Sequence, residues 1–237
     1  ESFVHLLPKD QKLVRESLLA LPTNDFQLAM ALSRSPSVVA AAGFNVKAYT
    51  TSDQITATPT KLLGNNPLPF IANYPQVLAN LPILMQSASG QALLSVSAQA
   101  GAIRRFPLIS AVNDQLVASM PIEMLRVATG LGKVKIITND LGIERIQVAN
   151  LDVLTQGNSD VWPYYASIEK TAERYLSAVD VLNGKFDPKM LESKLVLIGL
   201  TGAGLSDMRF TSLGEHVPGV EIQAQIVEGL FDNNLLK

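Results

Sequence analysis

The run KLVLIG at 194–199 leads into Gly202 and Gly204, then Asp207 and Arg209. Glycines that follow a strand are one way to bring backbone amides against a phosphate. The spacing argues against that use. A triphosphate loop needs a lysine that reaches the β and γ phosphates, and GLTGAGLSD has none. A dinucleotide loop opens straight into a helix, with an acidic residue roughly 20 positions on. Here LSDMRFTSLGEHVPG reads as loop until Pro218. A sharp backbone turn off a buried strand is the simpler role for Gly199, Gly202 and Gly204.

Other reactive groups are sparse. The two histidines, His5 and His216, lie far apart and lack partners at i,i+4. Glu215 and His216 are neighbours, and neighbours on an extended chain point to opposite faces, so an exposed loop histidine is favoured over a metal ligand. No G-x-S-x-G elbow is present. Arg104 and Arg105 end a long uncharged stretch and could hold an anion through paired N–H donors. An ion pair with a carboxylate such as Asp207 is the stronger reading, and Asp207 with Arg209 reads first as a network that fixes a loop. Trp162, Tyr164 and Tyr165 in DVWPYYAS could line a small-molecule pocket, although packing of a loop onto the core competes. The ligand-binding candidates are therefore Arg104, Arg105, Trp162, Asp207 and Arg209. No catalytic constellation, metal site or cofactor site is expected.

Bulk properties narrow the classes further. A chain of 237 residues buries a core without disulfides or metal, and it has no cysteine for either purpose. A net charge of −2 with no long basic run disfavours a nucleic-acid partner. Charged residues make up 17 %, below the usual quarter or so, so part of the surface is neutral or covered. No charge occurs between Lys61 and Arg104, yet Pro67, Pro69, Pro75 and Pro82 interrupt that stretch, and no apolar span of about 20 residues survives to cross a membrane.

The elements that must position these groups follow from punctuation and period. Helices are expected in PKDQKLVRESLLALP, in TNDFQLAMALSRSP capped by Thr23, Asn24 or Asp25, and in PQVLANLPILMQSA with a break at Pro82. SVVAAAGF reads as a short buried strand, 45–69 as a long excursion, and ALLSVSA as a central strand. FPLISAV and QLVA flank Asn113-Asp114 as a two-residue hairpin. Ser119 caps the next helix, with Pro121 and Glu123 in its first turn and Gly130 at its end. KVKIITN and IERIQVA form strands around DLG. Asp187 and Pro188 start a helical turn that delivers the chain into a strand at 194–199. PGVEIQAQIVEGLF is a helix with two apolar stripes, Val220, Ala224, Val227, Phe231 and Ile222, Ile226, Leu230. The fold class is α/β, a mixed β-sheet flanked by helices.

Several of these segments together resemble a known family. ASMPIEMLRVATG, then GKFDPKMLESKLVLIGLTGAGLSDMRFTSLGEHVPGVEIQAQIVEGL, are similar to the type-2 CHASE domain, a sensory domain associated with cyclases and histidine kinases. The match is densest over Lys194–Gly199, Thr201–Asp207, Thr211–Leu213 and Pro218–Ala224. Ser212 stands where the family usually has proline, and Gln223 where histidine is common. The resemblance implies a single sensor domain over residues 1–237, with the family's first strand upstream and membrane helices downstream. It implies a place on the extracytoplasmic face of the membrane and a cytoplasmic output domain, an adenylate/guanylate cyclase or a kinase. It also implies no catalysis by the glycine–aspartate loop. The expected partners are a small-molecule or protein signal and a second copy of the chain. The competing readings are a ligand-free dimerisation module and, more remotely, a nucleotide-binding enzyme domain.

Overall fold

The computed structural model describes residues 21–45, 55–96, 101–201 and 207–236. The helix expected before Pro22 therefore falls outside the described residues, as do Gly202 and Gly204. Helix α1 (Asn24–Ser33) begins where the sequence places it, with the Thr23 hydroxyl accepting the Phe26 amide at 3.2 Å. The strands β1 (Val38–Phe44) and β2 (Thr60–Leu63) follow. Strand β2 lies inside what reads as an excursion. It is recruited there by parallel pairing with a distant strand, a contact that no local pattern announces.

A second correction concerns PQVLANLPILMQSA. Its first part forms β4 (Gln76–Leu78), just after β3 (Asn73–Tyr74), and only Pro82–Ser87 is helical, as α2. Pro82 opens that helix rather than breaking one, which suits a residue with a fixed φ and no amide to place. Next is β5 (Gly90–Leu93), which pairs in parallel with β1, while β4 pairs antiparallel with β1. In that three-stranded sheet β5 is an edge, not the centre.

Short strands β6 (Ala102–Ile103) and β7 (Phe106–Pro107) lead to the hairpin of β8 (Ile109–Val112) and β9 (Gln115–Ala118). Asn113 and Asp114 both have positive φ, 46° and 65°, the mirror-image turn that matches strand twist. Helix α3 (Met120–Ala128) follows, and the chain turns at Gly130 with φ of 65°. Ser119 sits at the N-cap but makes no capping bond, and its buried hydroxyl has no protein partner. The strands β10 (Val134–Asn139) and β11 (Gly142–Val148) form as expected around DLG, extended by β12 (Leu151–Leu154) on one side and β2 on the other.

After β13 (Asp160–Val161) come the short helices α4 (Ile168–Thr171) and α5 (Ala178–Leu182). The turn at Pro188–Met190 forms with the Asp187 carboxylate accepting the Lys189 amide at 3.0 Å. Residues 194–199, expected as a buried strand, have no strand partner among the described residues and are largely exposed. The chain closes with β14 (Met208–Thr211), β15 (His216–Pro218) and the 14-residue helix α6 (Gly219–Asp232).

Among the described residues the strands make five small sheets, with parallel and antiparallel pairs in four of them. The α/β mixed class holds, in several pieces instead of one sheet. The main core joins α3 and α6 to both hairpins: Phe106, Leu108, Ile109, Ile122, Ile136 and Ile226 are all at most 1 % exposed. On α6 the stripe Ile222, Ile226, Leu230 is buried, whereas the second stripe ends at Phe231, which is 56 % exposed.

Candidate functional site

Of the five residues proposed from sequence, four fall into two separate arrangements. In the first, the Arg105 guanidinium lies 5.1 Å from the Trp162 ring centroid, a cation–π geometry. The Trp162 carbonyl accepts the Leu236 amide at 2.8 Å, so this group holds the far end of α6 against β13. Neighbouring Asp160 has its pKa raised by burial. The Asn158 amide, which donates to its carboxylate at 2.8 Å, and the charge of Arg105 partly oppose that shift. Tyr165 is in the core with an unpaired hydroxyl, its pKa pushed up by burial, whereas Tyr164 is exposed.

The Asp160 shift has a sign that can be checked. A carboxyl group with a folded-state pKa above its unfolded value favours folding in its protonated form. It therefore weakens the fold as pH rises through the interval just above the ordinary aspartate value. Asp160→Asn removes this dependence. Relative to the variant, the wild type is expected to lose stability as pH rises above the ordinary aspartate range, read as a growing gap in urea midpoints. Parallel curves for the two proteins would contradict the burial argument.

In the second arrangement, Asp207 pairs with Arg209 at 3.3 Å. The Asp207 carbonyl accepts the Gly219 amide at 2.8 Å, and its carboxylate lies against the Gly219 Cα, where any Cβ would collide with it. A carboxylate there faces the positive end of α6, whose N-cap residue Pro218 contributes no side-chain bond. Arg104 is exposed on the link between β6 and β7. His216 stacks on Phe210, centroids 4.5 Å apart and planes at 14°, so its ring serves that strand pair.

Asp207 and Arg209 line a cleft of about 1410 Å³. Small-molecule sites usually enclose roughly 300–1,000 Å³, so this one is wide. Its walls are β1, the 194–199 segment, Met120, Met124 and Val127 of α3, and Val220, Ile222 and Gln223 at the start of α6. Arg105 and Trp162 do not line it.

Sequence reasoning missed the buried polar side of α6. Glu221, 2 % exposed, accepts the Tyr175 hydroxyl at 2.6 Å and the Gln225 amide at 2.7 Å, with Arg174 at 3.7 Å. Gln225 also clamps the Ala166 backbone, accepting its amide at 2.8 Å and donating to its carbonyl at 3.1 Å. Arg174 reaches on to Glu228 at 2.6 Å. Burial, the bond to Glu221 and the charge of Glu221 all push the Tyr175 pKa up, with Arg174 opposing. Glu221, Gln225 and Glu228 recur at i, i+4 and i+7, a polar stripe opposite the apolar one, but ordinary amphipathic reading assigns such a stripe to solvent.

Glu123 was missed in the same way. Expected in the first turn of the helix, it is 1 % exposed and held by two Arg126 nitrogens, Nε at 2.8 Å and Nη2 at 2.6 Å. Its carboxylate and Val127 fill the space where Gly90 would carry a Cβ, which is why β5 starts with glycine.

The family model described as CHASE2 domain matches residues 3–236, a longer stretch than the segments from Ala118 onward that carry the resemblance. No curated protein and no solved structure matches.

Proposed function

The chain belongs to the CHASE2 domain family, and from that premise we propose that it senses a signal outside the membrane and passes its state to a cytoplasmic output domain, a nucleotide cyclase or a kinase. CHASE2 domains are extracellular sensory domains of signalling proteins, and the family is non-catalytic. No described helix is long and apolar enough to cross a membrane.

One observation carries the proposal. The first turns of α6 wall the cleft with Val220, Ile222 and Gln223, while Glu221 and Gln225 tie the same turns to residues 166–175. Whatever alters the cleft therefore alters the surroundings of α6. A signal acts only through different affinities for two arrangements, and a packed helix that shifts between them supplies such a pair. The test joins the domain through membrane helices to a reporter cyclase and reads its output. Ile222→Ala and Ile226→Ala are expected to change basal output several-fold. Output indifferent to both substitutions counts against the mechanism.

A second reading, a ligand-free dimerisation module, draws on α5. That helix buries none of its residues, and Leu182 is 86 % and Val179 63 % exposed. Apolar exposure of that kind suits an interface centre. Native mass spectrometry separates the two: a retained small molecule favours the sensor, a clean dimer the module.

A further inference from the structure

Residues 194–199 and strand β1 each lack what the other offers. Leu94 N–H donates to the Ala41 carbonyl, Gly90 N–H to the Ser37 carbonyl and Ser95 Oγ to the Gly43 carbonyl. The odd-numbered residues of β1 thus face β5. In an extended strand the N–H and C=O of one residue point to the same side, so the even-numbered residues face away. Strand β4 covers that far edge beside Ala42, Gly43 and Phe44. Beside Val38 and Ala40 no described strand lies, and the Asn80 amide donates to the Ala40 carbonyl at 2.8 Å in place of a ladder partner. Strand β1 is apolar throughout, VVAAAGF, yet only Ala41 is fully buried.

The matching piece lines the same cleft. Lys194, Leu195, Val196, Leu197, Ile198 and Gly199 wall the space that Val38, Val39 and Ala40 also wall. Val196 is 50 % exposed, Ile198 95 % and Leu200 70 %. A run of β-branched and apolar side chains with no glycine or proline before Gly199 has strand chemistry, and left unpaired it is an aggregation hazard. Its end also approaches α6. A Cβ on Gly199 would overlap the Val220 side chain, so the backbone there runs close against the first turn of the helix.

We propose that Lys194–Gly199 docks into the cleft as a strand along the Val38–Ala40 edge of β1, so that the domain has a docked and an open arrangement. Docking buries Val196 and Ile198, supplies β1 with its missing partner and closes the cleft beside α6. Its use as the sensor's switch rests on the function proposed above. The docking itself does not, and it is tested without any output domain.

The test is hydrogen exchange followed by mass spectrometry on the full chain, at two protein concentrations, for wild type and Ile198→Asp. If the segment docks, amides of 195–199 exchange at least tenfold slower than the rate for unstructured peptide. Ile198→Asp then abolishes that protection while β10 and β11 keep theirs. Ile198→Thr, a milder change, should reduce the protection in the same direction. Exchange of 195–199 at the unstructured rate in the wild type overturns the proposal. Protection that Ile198→Asp leaves intact also overturns it. So does protection that grows with concentration, since the occupant of the cleft would then be the segment of a second copy.

Discussion

Arg126→Ala is expected to lower the free energy of unfolding by about 3–5 kcal/mol, the usual cost of removing one member of a buried ion pair. The size follows from what remains. Glu123 is 1 % exposed, and both of its closest donors are nitrogens of Arg126, so the variant leaves a carboxylate sealed between α3 and β5. Arg126 also donates to the Leu131 carbonyl at 3.2 Å, closing the end of its helix, and that bond is lost as well. Urea denaturation at neutral pH reads the loss directly. The double variant Glu123→Met, Arg126→Met is expected to recover most of it, because an apolar pair of similar volume needs no compensation for desolvated charge. A single variant that costs under about 1 kcal/mol would mean that the carboxylate finds water or another donor, contrary to the burial.

Glu221→Ala is the second large effect, expected at about 2–3 kcal/mol from the loss of hydrogen bonds to a buried carboxylate. The Gln225 amide and the Tyr175 hydroxyl both lose their acceptor, and only the partly exposed tyrosine has ready access to water. The contrast with Glu228→Ala sharpens the test. Glu228 is half exposed, and its pair with Arg174 belongs to the class of surface ion pairs worth about 0–1 kcal/mol. Equal losses at 221 and 228 would contradict the burial gradient along α6. In the reporter fusion Glu221→Ala is also expected to shift output, since it frees the side of the helix away from the cleft.

Elements with a local cause were legible in the sequence. The hairpin at Asn113-Asp114, the helices after Thr23 and Ser119, the strands around DLG and the turn at Asp187-Pro188 all depend on residues within a few positions of each other. Elements that depend on distant pairing were not. Strand β2 exists because β10 lies beside it, and β4 because β1 does. Apolar content alone does not separate QVL, a strand, from PILMQS, a helix. The KLVLIG run shows the converse, strand chemistry without a pairing partner.

Site residues divide on the same line. Arg105 with Trp162, and Asp207 with Arg209, were visible as uncommon residue types in loops, but their division into two arrangements depends on tertiary placement. Glu123, Glu221 and Gln225 were invisible because a carboxylate or amide on a helix is ordinarily solvated. Only the partners Arg126, Tyr175, Arg174 and the Ala166 backbone reveal why these three are inside.

The contacts at the two ends of α6 give it a mechanical character. Asp207 grips Gly219 at one end, and the Trp162 carbonyl holds Leu236, just past the other, beneath the Arg105 guanidinium. A rod fixed at one end swings as a lever, whereas a beam clamped at both can only twist about its axis or bow. Strain applied near Leu236 thus divides between the beam and β13, and torsion becomes the soft mode that the helix has left.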